Sequence, residues 1–272
     1  MTSRAHYIII AILLIGVSLY LINSGLTSKQ ASQETIAKPP VVIRVDDIQD
    51  YAFREAQLQI LKLSSEKQVP LSLSIIPKIF TSDKELIDAV KAALLSGSEA
   101  TAHGWLHEDF RNSTLMEQVQ KLTLAKRALN RTLGVETTIL VPPLFDYNQD
   151  TLHAMKLTGY DTISSTTDLQ NPGPTIYGIM GLPSTVNFST FINDTWKPKT
   201  LQQLENEVDL SVSMHGYAMI VIHPQELLNG DSMNTTTTKT LDDLMTSLSG
   251  KYSLKTIAEL SKTIQNTPNG GH

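Results

Sequence analysis

His103 and His107, in Thr101-Ala-His-Gly-Trp-Leu-His107, stand four residues apart, a spacing that a helical turn would aim at one point. Such a pair alone says little. Upstream, however, Val41-Val-Ile-Arg-Val-Asp46-Asp47 is an apolar run that stops on two adjacent carboxylates. Asp47 with the two histidines would offer one carboxylate oxygen and two imidazole nitrogens, a set that leaves a coordination position open on a divalent cation. An ion so held lowers the pKa of water and polarises a carbonyl, as amide or ester hydrolysis near neutral pH requires. Successive strand residues point to opposite faces, so for Asp46 and Asp47 to share a site the strand must end there. One carboxylate then binds metal while its neighbour takes a proton from water. His223, in Val221-Ile-His-Pro224, would give a proton to the leaving amine.

The elements that must position these groups alternate. Strand-like patterns cover 41–45, 71–76, 99–102, 137–141, 161–164, 217–222 and 253–256. Helical patterns cover 52–67, 83–95, 114–133, 149–157, 200–214, 241–248 and 257–264, several with Ser, Asp, Asn or Thr before them and Gly after. Residues 168–200, rich in Pro, Gly, Asn and Thr, read as irregular loop with one or two short strands. Such alternation implies a mostly parallel α/β sheet or barrel, in which chemistry gathers at the carboxyl ends of the strands. Asp46-Asp47, His103, Pro142-Pro143 and His223 each follow directly on a separate strand-like run. A closed sheet would bring all four to one rim.

Composition narrows the function. The chain of 272 residues has a net charge of -5 and only 18% charged residues, which leaves no basic field for nucleic acid. It has no Cys, so disulfides, thiolate nucleophiles and iron–sulfur clusters are excluded and His, Asp and Glu are the available metal ligands. No Gly-x-Ser-x-Gly or P-loop pattern occurs. Residues 7–26 form an apolar run long enough to cross a bilayer, preceded by Arg4 and no acidic residue. The expected plan is a cytoplasmic tail (1–6), a transmembrane anchor (7–26) with a cleaved signal peptide as the competing reading, a polar linker (27–40), one outward-facing domain (41–262) and a flexible tail (263–272). Asn-x-Ser/Thr sequons at Asn112, Asn130, Asn187, Asn193 and Asn234 fit an exported domain.

The ordered set Val45-Asp46-Asp47, His103-x-x-x-His107, Pro142-Pro143 after a strand, Gly159-Tyr160-Asp161 and Ile220-Val-Ile-His223 resembles the polysaccharide deacetylase family, the NodB-homology or carbohydrate esterase 4 group. The resemblance covers 41–262. It implies a distorted (β/α) barrel of about seven parallel strands and a divalent ion, usually zinc, used to remove acetyl groups from N-acetylated sugars. Position by position it implies that Asp46 is the catalytic base, that Asp47, His103 and His107 bind the metal, and that His223 is the catalytic acid. Pro143 matches the segment that lines the groove. The chain departs from the pattern where Val141 replaces the arginine that orients the base, and where Leu144-Phe145 replaces an aromatic-Gly pair. Arg44, on the same side of its strand as Asp46, is a candidate to replace that guanidinium, and Asp168 a candidate acidic partner for His223.

Trp105, between the two histidines, and Tyr147, after the proline pair, are further candidates for contact with a sugar, beside the bland readings of packing and loop polarity. His153 and His215 read as structural or exposed. The expected function is therefore a membrane-tethered, metal-dependent deacetylase of an acetylated surface glycan. Its rivals are a metal- or glycan-binding module with little turnover and a metal hydrolase of another amide or ester.

Overall fold

The computed structural model describes residues 37–166, 176–192 and 195–266. The expected tail 1–6, anchor 7–26, all of the linker before residue 37, Asp168, the Asn193 sequon and residues 267–272 lie outside the described residues. Among the described residues no helix is long and apolar enough to cross a membrane.

The strands of the main sheet are β1 (Pro40–Ile48), β2 (Ser72–Ile75), β3 (Glu99–Ala102), β4 (Ile139–Leu140), β5 (Thr162–Ile163), β6 (Met180–Gly181) and β7 (Val186–Asn187). A hairpin, β8 (Ser189–Ile192) and β9 (Thr195–Pro198), precedes β10 (Ala218–Ile222), and a smaller one pairs β11 (Leu228–Asn229) with β12 (Ser232–Met233). The last strand is β13 (Ser253–Lys255). Helices α1 (Arg54–Lys67), α2 (Lys84–Leu95), α3 (Leu115–Leu133), α4 (Gln149–Thr158), α5 (Leu201–His215), α6 (Thr235–Lys251) and α7 (Ile257–Gln265) connect them.

The main sheet runs β6-β5-β4-β3-β2-β1-β10-β7, with β13 on the first part of β1, and every ladder in it is parallel. Parallel strands covered on both faces need apolar side chains on both, and β10, Ala-Met-Ile-Val-Ile, is buried along its whole length. Residues 182–185 carry the chain from one end of this order to the other. The Ser184 N–H donates to the Ser165 carbonyl at 2.7 Å, and the next residue, Thr185, donates to the Met219 carbonyl at 3.0 Å. The sheet is thus a curled half-barrel of nine strands, its ends joined by one crossing segment rather than by a ladder. That corrects the expected count of about seven, since the outer strands are only two residues long.

Local signals set the helix starts. Thr114 and Glu117 form a capping box on α3, Asn148 caps α4, and Asp83 accepts from the Leu86 N–H at the start of α2. Two expectations fail. The described residues of 168–200 include the four short strands β6 to β9 where one or two were expected. Helix α6 starts at Thr235 rather than at 241, because the Asn234 side chain accepts from the Thr236 and Thr237 N–H groups and offsets the poor helix propensity of four threonines.

Candidate active site

The two adjacent aspartates reach one site by a bulge, not by a strand end. Strand β1 continues to Ile48, but its register against β2 slips: Val45 faces Leu73, and Ile48 faces Ile75. One extra residue on β1 therefore sits between those pairs, and Asp47 takes it up in the left-handed region at φ 61°. Asp tolerates that conformation better than most non-glycine residues. The twist turns Asp47 onto the rim beside the fully buried Asp46.

The histidine pair is likewise not on a helix. Residues 103–107 form a turn, with left-handed backbone at Gly104 and His107. A Cβ at Gly104 would lie 3.0 Å from the Pro143 ring, so this position needs glycine for space as well as for φ. The Glu108 carboxylate holds the turn by accepting from the Trp105 and Leu106 N–H groups. The rings of His103 and His107 end 5.1 Å apart.

Asp47, His103 and His107 converge as ligands would. Their nearest donor atoms lie within 4.8 Å of one another, with Asp47 Oδ1 at 3.3 Å from His103 Nε2 and 3.2 Å from His107 Nε2. Ligand atoms about 2.1 Å from a tetrahedral ion stand roughly 3.4 Å apart, so the set fits a divalent cation. His103 Nδ1 donates to the Val141 carbonyl at 2.9 Å, which leaves its Nε2 lone pair facing the cluster. Asp47 Oδ1 is buried yet satisfied by no hydrogen bond, an oxygen suited to a cation. Burial works to raise the Asp47 carboxyl, but the two imidazoles hold it well below the usual carboxylate range.

Beside this cluster lies Asp46, whose partner is Arg44. Nε and Nη2 of Arg44 each donate to one Asp46 oxygen at 2.9 Å, while Nη1 donates to the Ser164 hydroxyl at 2.8 Å and carbonyl at 3.1 Å. Both side chains are fully buried, and the Phe145 ring lies 5.5 Å from the guanidinium. Residues two apart on a strand share a face, which is why Arg44 can reach. Burial alone would raise the Asp46 carboxyl, but Arg44, His103 and His223 lower it and keep it ionised. A guanidinium therefore does sit on this carboxylate, although Val141 supplies none.

His223 closes the rim at the end of β10. Its Nδ1 lies 3.1 Å from Glu226 Oε1, and Ser189 donates to Glu226 Oε2 at 3.0 Å. Burial would lower the imidazole pKa, but Glu226, Asp46 and Asp47 raise it above the usual histidine value. Phe145 and Trp196 flank the ring, with centroids at 6.3 and 6.0 Å. Gln225 reaches Asp47 Oδ2 at 3.4 Å.

The remaining expected residues divide. Pro143 is buried at the rim against Gly104, and Trp105 is half-buried under the Lys78 ammonium. Tyr147, 6% exposed, is packed into the core, so its ring offers little to a ligand. His153 stacks on Tyr177, and His215 ends α5, both as expected. Glu226 and Trp196 were not among the expected residues. The signal for Glu226 was a carboxylate three residues after His-Pro, where Pro224 opens a single 3₁₀ turn that returns it to the imidazole. Trp196 fell in a stretch read as loop.

Comparison with known proteins bears on the fold. Residues 33–163 match the family model described as polysaccharide deacetylase. A putative polysaccharide deacetylase from Mycobacterium smegmatis superposes with a TM-score of 0.64 at 15% identity, covering 85% of this chain and 92% of that one. A family 4 acetyl xylan esterase from Clostridium thermocellum, in complex with a cobalt ion, gives 0.58 at 15%, covering 83% and 92%. A CE4 family pseudoenzyme from Bacillus anthracis gives 0.56 at 16%, covering 82% and 65%. No match was found among curated protein sequences. The chain thus shares its fold with these deacetylases, and its residues 33–163 resemble the polysaccharide deacetylase family at low sequence identity.

Proposed function

We propose that this protein is a divalent-metal-dependent hydrolase that removes acetyl groups from N-acetylated sugars of a surface or extracellular glycan. The observation that carries the reading is the meeting, on one rim, of the Asp47, His103 and His107 donor atoms with Asp46 and His223. A cation held there, with zinc as the proposed ion, supplies Lewis acidity to the amide carbonyl and acidity to water.

The protein's own side chains move the protons. Asp46, ionised and clamped at both oxygens by Arg44, keeps lone pairs with which to take the proton of the attacking water. His223 holds a proton for the leaving nitrogen, which would otherwise depart as a poor amide anion. That nitrogen is carried by the sugar, so the sugar must lie on the His223 side. Trp196 and Phe145 present apolar faces there, and with Trp105 and Pro143 they form the proposed wall for the substrate. A membrane tether through 7–26 is part of the proposal, supported by the length of that apolar run and by Arg4.

A second reading is a metal- or glycan-binding module with little turnover. Val141 in place of arginine favours it, and the Bacillus anthracis neighbour described as a pseudoenzyme is a precedent in the same fold. The Arg44 clamp speaks for turnover. Full-length protein loaded with zinc is expected to release acetate from N-acetylglucosamine oligomers, and a chelator to stop the release until zinc is restored. Stoichiometric zinc with no release from any acetylated sugar leaves the binding reading, and release only from other esters or amides moves the substrate class.

A further inference from the structure

His223 needs one nitrogen fixed and the other free if it is to hold a proton for transfer. The hydrogen bonds around it do this through a short chain of contacts that begins three residues downstream. A carboxylate has no hydrogen to give, so Nδ1–H is the donor to Glu226 Oε1 and Nε2 is left as the nitrogen that gains or loses a proton. Glu226 itself is nearly buried, with 2% of its side chain exposed, and its second oxygen is engaged by the Ser189 hydroxyl. A buried carboxylate bonded at both oxygens cannot swing away from the ring.

We infer that Glu226, braced by Ser189, is the positioning residue that sets the tautomer and orientation of His223. The 3₁₀ turn Pro224–Leu227 brings the carboxylate back under the imidazole, and β8 delivers Ser189 from the hairpin that also carries Trp196. This arrangement lets one sequence segment, His223-Pro-Gln-Glu226, supply both the proton carrier and its orienting anion. The inference rests on the proposed role of His223 for its effect on rate, and not for the placement of the proton.

The charged groups that face His223 are Asp46 and Asp47 from β1 and Glu226 from its own turn. Ser189 and Trp196 from the hairpin and Phe145 add no charge. Glu226→Gln changes one of these anions and keeps the side-chain volume. The test is a ¹⁵N–¹H NMR titration of the imidazoles in the full chain, with His223→Gln to assign the resonance, read beside acetate release. In wild type the neutral His223 ring should carry its proton on Nδ1. In Glu226→Gln the titration midpoint should fall, and so should the alkaline limb of the rate profile. Acetate release should drop about ten- to a hundred-fold, as for other outer partners of functional histidines, with zinc content unchanged. Glu226→Asp should recover part of the rate, and Ser189→Ala should lower the midpoint less than Glu226→Gln.

An Nε2–H tautomer in wild type, or an unmoved midpoint in a folded Glu226→Gln, would overturn the inference. If Glu226→Gln does not fold, Ser189→Ala decides: an unmoved midpoint there overturns it as well. A lowered midpoint in protein that never releases acetate would support Glu226 and sink the deacetylase reading instead.

Discussion

The proposed metal-ligand side and the proposed acid–base side of this rim are built differently. Asp47 lies within β1 and His103 and His107 in the turn after β3, and their approach depends on backbone: a bulge at Asp47 and a turn with left-handed Gly104 and His107. Asp46 and His223 depend on side chains, each clamped by a residue close in sequence, Arg44 two before and Glu226 three after. Ligands can be positioned partly by the cation they share, which draws them together. An acid and a base have no such organiser, so each needs a partner that fixes its charge and direction. The extremes of exposure fall on opposite sides: Asp46 is fully buried, whereas the His107 side chain is 34% exposed.

That contrast can be broken most severely at the base. Asp46→Asn should lower acetate release by about 10²- to 10⁴-fold, the range for a general base, while zinc stoichiometry stays intact. Loss of zinc together with activity would move Asp46 to the ligand side.

Removing the clamp should be felt in stability. Arg44→Met leaves a buried carboxylate without its guanidinium and should cost about 3–5 kcal/mol in chemical denaturation. The double variant with Asp46→Asn should recover a large part of that loss, because no uncompensated charge then remains. A cost below about 1 kcal/mol would mean that the pair is solvated in solution.

A ligand change should do the reverse of the base change. His107→Ala should weaken zinc binding, with a smaller effect on metal-free stability than Arg44→Met, since the ring is partly exposed. Equal losses of stability would erase the distinction between the two sides.

The smallest effect concerns pH. The folded pKa of His223 is raised, so its protonated form stabilises the fold. That contribution is complete below the ordinary value of 6.5 and is lost as pH rises through the raised folded value. The melting-temperature difference between wild type and His223→Gln, without metal, should therefore be larger at about pH 6 than at about pH 9. An unchanged or opposite trend would show that burial outweighs Glu226, Asp46 and Asp47.

Sequence reasoning named the five residues that meet on this rim for one physical reason. In a parallel sheet the residue after each strand falls on the same rim, so strand-like runs that end in Asp, His and His predict a meeting place. It missed Glu226 and Trp196 because their placement depends on local geometry without a periodic signal. A 3₁₀ turn returns Glu226 to His223, and a hairpin places Trp196 beside the same ring. Arg44 was reachable from strand parity, because β1 is regular up to Val45. The bulge that follows was not, since nothing in Val45-Asp-Asp-Ile48 marks a register slip. The helix expected for the histidine pair gave the right convergence from the wrong backbone, because a tight turn can also aim two side chains at one point.

The central claim is that one cation sits among Asp47, His103 and His107 beside Asp46. A crystal grown with zinc, measured on both sides of the zinc absorption edge, tests it directly. The account predicts an anomalous peak about 2.0–2.2 Å from Asp47 Oδ1 and the Nε2 atoms of His103 and His107. No peak at saturating zinc, or a peak bound by other residues with these three still apart, would contradict it.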